Sequence, residues 1–305
     1  MKKVLVTGAS GFIGRHSLEP LSRRDYEIHA VCLRDPVGSF ENVYWHRADL
    51  LRADDCAELI EQVRPSHLLH LAWFATPGKF WTADENLEWI SATLHLVHEF
   101  HRRGGQRVVA AGSCAEYEWG SDEPLDEEVT PLRPATLYGA AKHAVRLVLD
   151  AYAAQTDLSV AWGRVFFLYG PYESPERLVP SVILSLLRGE VARCTHGQQV
   201  RDFLHVADVA DAFVALLESD FKGPVNIASG HAVRLSEVVE MIGRKLGRSD
   251  LIKLGAIDLP RTEPRTIVAN TKVLNDELQW RPHRDLSSGL DQAIEWWREK
   301  CENGD

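Results

Sequence analysis

Three glycines spaced Gly8-x-x-Gly11-x-x-Gly14 stand directly after the apolar run Val4-Leu5-Val6 and open a helical pattern that begins at Phe12. Few local features restrict a fold more. One glycine lets the backbone turn tightly, one lets a ligand approach the amides with no Cβ in the way, and one lets the helix pack closely on the strand. Strand, glycine turn and helix in that order form the first half of a βαβ unit, with the helix N-terminus aimed at a phosphate. Thr7-Gly8-Ala9-Ser10-Gly11-Phe12-Ile13-Gly14 is therefore read as a dinucleotide-binding turn, with Thr7, Gly8, Ser10, Gly11, Phe12, Ile13 and Gly14 as cofactor contacts.

The rhythm continues. Short β-branched runs at Lys3–Thr7, Ile28–Leu33, His67–Ala72, Arg107–Ala111 and Ser159–Phe166 alternate with helical patterns at Phe12–Arg23, Cys56–Val63 and Asn86–Arg102. Such alternation predicts an α/β fold of the Rossmann type, a doubly wound parallel sheet with helices on both faces. Beyond Phe167 the pattern is broken by Gly170-Pro171, Pro175, Pro180, Gly223-Pro224, Pro260, Pro264 and Pro282, which predicts a smaller, interleaved C-terminal α/β lobe. The expected division is 1–166 for the dinucleotide-binding domain, with 202–228 returning to it, and 167–201 plus 229–305 for the substrate lobe. Leu290, Ile294 and Trp297 recur at one-turn spacing in a closing amphipathic helix, Leu286–Lys300.

Composition narrows the class. With 34 Lys and Arg against 44 Asp and Glu the formal charge is −10, a poor match for a nucleic-acid backbone. Five scattered cysteines with no C-x-x-C pair suggest neither a disulfide framework nor a metal site, and they fit a reducing compartment. Met1-Lys2-Lys3 leads into an apolar run far too short for a signal peptide or membrane span, so a cytoplasmic protein with no membrane partner is expected.

The choice of cofactor is set at the end of the second strand, where an acid bonds the adenosine ribose in NAD-binding sites. Here Val31-Cys32-Leu33-Arg34-Asp35 places a thiol at that position, followed by a guanidinium able to grip a phosphate. NADP (as NADPH) is expected through Arg34, and NAD remains the alternative through Asp35. Asp49 and Leu50 are candidates for the adenine edge, although an Asp ahead of a helix also serves as a plain cap. Leu71 and Ala72 close the fourth strand at the sheet edge where ligands of such folds sit.

Tyr138-Gly139-Ala140-Ala141-Lys142 places a phenol and an ammonium four residues apart, on one face of a helix. A free tyrosine titrates at about 10, so near neutral pH a neighbouring positive charge is needed to make it a usable acid or base.

With these motifs in order, the chain resembles the extended short-chain dehydrogenase/reductases, the family of nucleotide-sugar epimerases, dehydratases and ketoreductases. The likeness runs nearly end to end, through Tyr169-Gly170-Pro171, Arg201-Asp202-Phe203-Leu204-His205-Val206-Ala207-Asp208-Val209, Asn226-Ile227-Ala228-Ser229-Gly230 and Leu278-Gln279-Trp280-Arg281-Pro282. It implies Ser113, Tyr138 and Lys142 as the catalytic set, with Ser113 bonding the substrate oxygen. It also implies Arg201 and Arg261 on a substrate diphosphate, and a homodimer through the helices around Asn86–Arg102 and Tyr138–Gln155.

Departures from the family shape the reaction expected. Dehydratases carry an Asp-Glu pair after the hydroxyl residue, where this chain has Cys114 and Ala115. Decarboxylases place a Glu, and 3,5-epimerising reductases a Cys, where Ala115 stands. Cys114 faces the substrate but carries no sign of activation and is read as structural. Phe167 replaces a family Asn that bonds phosphate, and Trp89 replaces another. Trp73, Phe74, Lys79, Phe80 and Trp81 form an aromatic loop that either lines the sugar pocket or packs as a lid, and Arg177 completes the candidate substrate contacts. Reduction of a keto group on a nucleotide-linked deoxysugar is the expected activity. A 4-epimerase with tightly held NAD is the nearest alternative, and a non-catalytic dinucleotide-binding regulator comes from a different class.

Overall fold

The computed structural model describes residues 2–38, 40, 42–258 and 263–303. In chain order the first half runs β1 (Lys2–Thr7), α1 (Phe12–Ser22), β2 (Tyr26–Cys32), β3 (Val43–Arg47), α2 (Ala53–Val63), β4 (His67–His70), α3 (Glu85–Arg102), β5 (Arg107–Ser113), α4 (Leu137–Ala153) and β6 (Ser159–Val165). The second half runs β7 (Phe167–Tyr169), α5 (Leu178–Leu187), β8 (Ala192–Arg193), β9 (Val200–His205), α6 (Val206–Glu218), β10 (Gly223–Ile227), β11 (Ala232–Arg234), α7 (Leu235–Leu246), β12 (Ile252–Lys253), β13 (Thr266–Ile267), α8 (Lys272–Asp276) and α9 (Leu286–Asn303).

The large sheet has the order β10-β6-β5-β4-β1-β2-β3, and every pairing in it is parallel. Parallel strands covered on both faces are apolar throughout: Val4, Leu5, Val6, Leu68, Leu69, Val108, Val109 and Ala110 are all fully buried. One face packs on α1 and α6, the other on α2, α3 and α4. The strand order reverses beside β1, between β2 and β4, which is where folds of this kind open a crevice at the strand ends.

Several boundaries differ from the sequence expectation for local reasons. β4 stops at His70 rather than Ala72: the Leu71 amide is shared between Thr7 O at 3.3 Å and Thr7 Oγ1 at 3.2 Å, and the Ala72 amide turns to Thr7 Oγ1 at 3.3 Å. β5 runs on to Ser113, since Gly112 and Ser113 still have β6 partners in Arg164 and Val165. α2 begins at Ala53, three residues early, with Asp54 and Asp55 in the first turn favouring the positive end of the helix dipole. Leu33 lies outside β2 and is exposed.

The chain re-enters the large sheet later than residue 202. Asp202–His205 finish β9, which pairs with β7, β11 and β13 in the smaller sheet, and the return begins with α6 against α1 and ends with β10 against β6. The smaller lobe has its own core of α5, α7 and α9, centred on Val182, Ile183, Val239, Ile242, Leu290 and Ile294. Asp202 ties it to the 227–230 turn, its carboxylate accepting from Ser229 N, Ser229 Oγ, Gly230 N and Ala269 N.

Candidate active site

The glycine turn is built as the spacing requires. Gly8 has φ +65°, and a Cβ there would stand 2.8 Å from the amide of Ala72; at Gly14 a Cβ would stand 2.1 Å from the Gly8 carbonyl. Helix α1 has Gly11 as its N-cap and so no side-chain cap, which leaves its first amides for a ligand. Beside them lies half-buried Arg15, which donates through one terminal nitrogen to Ser10 O at 2.9 Å, stacks on Tyr172 at 4.1 Å and keeps a buried Nε without a partner. A cationic, uncapped, glycine-lined turn fits a dinucleotide pyrophosphate, and Arg15 is a feature that the glycine motif alone did not single out.

At the rim of the same crevice Cys32 ends β2, and Arg34 and Asp35 are both exposed. Register pairs Cys32 with Arg47, the last residue of β3, whose charge offsets part of the rise that burial imposes on the thiol. Arg47 was not foreseen, since only register across two strands brings it beside Cys32. Asp49 caps the following turn by accepting from Leu51 N, and Leu50 is buried on the α2 side of the sheet.

Ser113, Tyr138 and Lys142 converge from two elements. Ser113 ends β5 and caps a 3-10 turn, Cys114–Glu116, by accepting from Ala115 N at 3.2 Å. Tyr138 stands in the first turn of α4, whose Thr136 cap accepts from Gly139 N at 3.1 Å. Gly139 permits that approach, because a Cβ there would lie 2.1 Å from Ala115 O. Burial pushes the Tyr138 phenol above its ordinary pKa; a hydrogen bond with Ser113 and the charge of Arg177 pull the other way. Phe80 and Trp81 pack edge-on against the Tyr138 ring at 4.8 and 5.8 Å.

Lys142 is buried, and its ammonium donates to Ala111 O at 2.7 Å while lying 3.8 Å from the centre of the Trp73 ring. Burial pulls its pKa down to about 7, with Glu116 opposing. In this structure the ammonium is turned toward the β5 backbone and Trp73.

Beneath Ser113 lies a buried polar network absent from the sequence reading. Glu116 accepts from Ser113 N at 2.8 Å, from Trp162 Nε1 at 2.8 Å and from Arg164 Nε at 3.0 Å. Arg164 also donates to Tyr117 Oη at 2.9 Å, and that hydroxyl donates to Asn226 Oδ1 at 2.8 Å. Gly112 leaves the necessary room, since a Cβ there would meet Trp162 Nε1 at 2.0 Å. Cys114 is buried and its thiol is pushed up to about 12, chiefly by desolvation, which suits a structural thiol.

The substrate candidates divide. Trp73 is committed to Lys142 and, through its indole N–H, to Asn86 Oδ1 at 2.9 Å. Lys79 is exposed. Arg177 is exposed at the start of α5, with its guanidinium over Phe80 at 5.4 Å. Phe167 packs on Phe203 at 5.9 Å and lies under Arg201 at 5.2 Å. Arg201 is buried and already engaged, donating to Glu263 at 2.5 Å and to the carbonyls of Val200, Pro264 and Arg265. Arg261 lies outside the described residues. A cavity of about 470 Å3 is lined by His196, Gln198, Gln199, Val200, Arg234, Glu263 and Arg265; Arg201 itself does not line it.

The sequence and fold are similar to those of known proteins. The NAD dependent epimerase/dehydratase family matches residues 4–228. Among curated relatives, the human (Homo sapiens) dTDP-D-glucose 4,6-dehydratase is 25% identical over 99% of this chain and 91% of its own length. UDP-glucuronic acid decarboxylase 1 of Xenopus tropicalis is 26% identical over 99% and 73%. Among solved structures, MoeE5 in complex with UDP-glucuronic acid and NAD is 31% identical with a TM-score of 0.84, covering 98% of this chain and 99% of the other. The UDP-N-acetylglucosamine 4-epimerase of Methanobrevibacter ruminantium M1 is 26% identical with a TM-score of 0.88, covering 98% and 99%. With its glycine turn, its Ser, Tyr and Lys set and a match spanning most of its length, this chain belongs to the NAD dependent epimerase/dehydratase family.

Proposed function

We propose that the chain is an NADPH-dependent reductase of a keto group on a nucleotide-linked deoxysugar. The observation that carries this reading is the chemistry around Ser113: hydroxyl, phenol and ammonium are all present, while the next two residues are a thiol pushed up to about 12 and an alanine. No acid or base stands at either position to assist the loss of water or of carbon dioxide. Hydride transfer assisted by one proton donor is the chemistry left.

A bound nicotinamide supplies the hydride. Tyr138, with its pKa held above the ordinary range, keeps its proton near neutral pH and suits the acid that quenches a new alkoxide. Ser113, fixed by its turn and by Glu116, is assigned to donate to the same oxygen. Lys142 is assigned to hold the cofactor ribose and to supply positive charge near Tyr138. Gly8, Gly11, Gly14 and Arg15 are assigned to the pyrophosphate, and Arg34 with Arg47, flanking Cys32, to a 2′-phosphate. The cavity lined in part by Glu263 is assigned to the nucleotide, whose diphosphate would compete with Glu263 for the Arg201 guanidinium.

A second reading has its own support. MoeE5, 31% identical, was solved with UDP-glucuronic acid and NAD, and a 26% identical solved structure is a UDP-N-acetylglucosamine 4-epimerase; together they support a 4-epimerase that retains NAD between half-reactions. Exposed Leu147 and Val148 on α4 support a homodimer. A cytoplasmic setting suits five free thiols, and among the described residues no helix is long and apolar enough to cross a membrane.

Calorimetric titration of cofactor-stripped protein with NADPH and NADH decides first. Tight NADPH and weak NADH, followed by NADPH oxidation with UDP- or dTDP-linked 4-keto-6-deoxyglucose, supports the reductase. NAD that copurifies, with interconversion of UDP-hexoses and no net consumption of cofactor, overturns it in favour of the epimerase.

A further inference from the structure

The loop between β4 and α3, residues 71–84, is held from beneath by one side chain. Asn86 is fully buried and donates through Nδ2 to Phe80 O and Ala83 O, both at 2.8 Å, while its Oδ1 accepts the indole N–H of Trp73. Three hydrogen bonds on one amide thereby fix two contacts with the candidate catalytic pair. Phe80 is set against the Tyr138 ring, and the face of Trp73, braced by Trp89 at 6.0 Å, is set over the Lys142 ammonium.

The surroundings of Lys142 give that second contact its weight. The side chain is 3% exposed and its protein hydrogen bond goes to the neutral carbonyl of Ala111. Glu116, from the 3-10 turn after β5, favours the charged form; His70, from β4, is buried between Thr7 and Thr93 with its pKa lowered to about 3, so it is neutral near pH 7; Tyr138 shares the helix with its pKa raised. A buried ammonium with so few anionic neighbours tends to shed its proton, and burial has already brought this one down to about 7. An indole face is the strongest aromatic partner for a cation, and it gains strength where water is excluded.

We propose that Trp73, anchored by Asn86, is the positioning residue for Lys142, its ring holding the ammonium charged and against β5. The inference rests on the reading of Lys142 as the group that serves the cofactor ribose and Tyr138. Trp73 thus acts through the lysine, and the aromatic loop belongs to the proton machinery before it belongs to any sugar pocket.

Fluorinated tryptophans placed at position 73 alone give the test, because fluorine drains the ring face of negative potential with almost no change of shape. The Lys142 titration is followed by the 13C shift of its Cε, assigned with Lys142→Met, and NADPH affinity is measured by calorimetry across the same pH range. Stepwise fluorination is expected to lower the lysine pKa by about one unit in total, tenfold in its dissociation constant. Trp73→Leu should do the same and Trp73→Phe should restore part of the shift, with NADPH affinity falling at correspondingly lower pH. An unchanged lysine pKa through the fluorinated series overturns the proposal, whether or not Trp73→Leu folds. If the pKa moves as expected but no dinucleotide binds any variant, the positioning stands and the reductase reading falls.

Discussion

Arg164 Nε lies 3.0 Å from Glu116 Oε2, and neither side chain has any exposure to solvent. The pair does more than neutralise itself, since the other Glu116 oxygen accepts the amide of Ser113 and so fixes the end of β5. Removing one member of a buried pair leaves an uncompensated charge and costs about 3–5 kcal/mol, whereas replacing both with apolar groups of similar size is often close to neutral. Glu116→Leu should therefore lower the denaturant midpoint steeply, and Glu116→Leu with Arg164→Met should recover only part of it, since the Ser113 amide and Trp162 Nε1 remain without an acceptor. Turnover should stay low in the double variant, because the Ser113 amide has lost its acceptor. Full activity in the double variant would remove Glu116 from any role at the site.

Tyr138→Phe keeps the ring that Phe80 and Trp81 pack against and deletes the hydroxyl beside Ser113. Loss of a positioned general acid costs roughly 10²–10⁴-fold in rate. Turnover of a 4-keto-sugar nucleotide should drop by that factor while the NADPH dissociation constant stays within about twofold of wild type. An active Tyr138→Phe enzyme would mean that another group carries the proton.

Gly14→Ala drives a methyl group to 2.1 Å from the Gly8 carbonyl, inside the turn that α1 shares with β1. Overpacking of this kind costs about 1–3 kcal/mol, or several degrees of melting temperature in a chain of this size. Dinucleotide binding should weaken by more than the stability loss explains, because the first amides of α1 shift with the backbone. Calorimetry on the folded variant reads this directly.

Of the five cysteines, Cys32, Cys56, Cys114 and Cys194 are buried and Cys301 is exposed. Burial raises the thiols of the four, to about 11 at Cys56 and about 12 at Cys114. Iodoacetamide near pH 8 should modify Cys301 alone in the folded protein and leave activity intact. Rapid labelling of Cys114 with loss of turnover would contradict its structural assignment.

Glu127 accepts from Asn226 N at 2.7 Å, and burial raises its carboxyl to about 7. The folded chain holds this proton more tightly than the unfolded chain, so stability is full below the ordinary carboxylate range and declines as pH climbs through about 7. Glu127→Gln keeps the acceptor and removes the titration. Its unfolding free energy should exceed wild type above pH 7 by an amount on the order of 1–2 kcal/mol and match it near pH 4. Parallel stability curves for the two proteins would show that Glu127 titrates normally.

Local spacing carried the parts of this site that lie within a few residues of one another. The glycine turn and the Tyr138 to Lys142 step each obey the geometry of one element, so their placement follows from the order of residues. What stayed hidden depends on partners far apart in the chain. Arg47 comes beside Cys32 only through β2–β3 register, Arg164 reaches Glu116 across β5 and β6, and Asn86 organises a loop that reads as a plain aromatic run. Arg201 is the clearest case of a residue whose type was informative and whose state was not: a guanidinium suited to diphosphate is here held by Glu263. The end of β4 was misplaced because a side chain, Thr7 Oγ1, shares the Leu71 amide with the β1 backbone and takes the Ala72 amide that an apolar run would give to a strand.

The chain leaves the large sheet after β6, comes back with α6 and β10, and leaves again toward β11. No single cut can therefore separate the lobe that holds the glycine turn from the lobe that holds Arg201. A fragment ending after β6 lacks its edge strand β10 and the helix α6 that covers α1, and the complementary fragment carries both of those orphaned elements. Evolution or engineering that wishes to exchange the smaller lobe for another must splice at three points at once, so new preferences in such a chain are more readily reached by replacing loops than by trading modules.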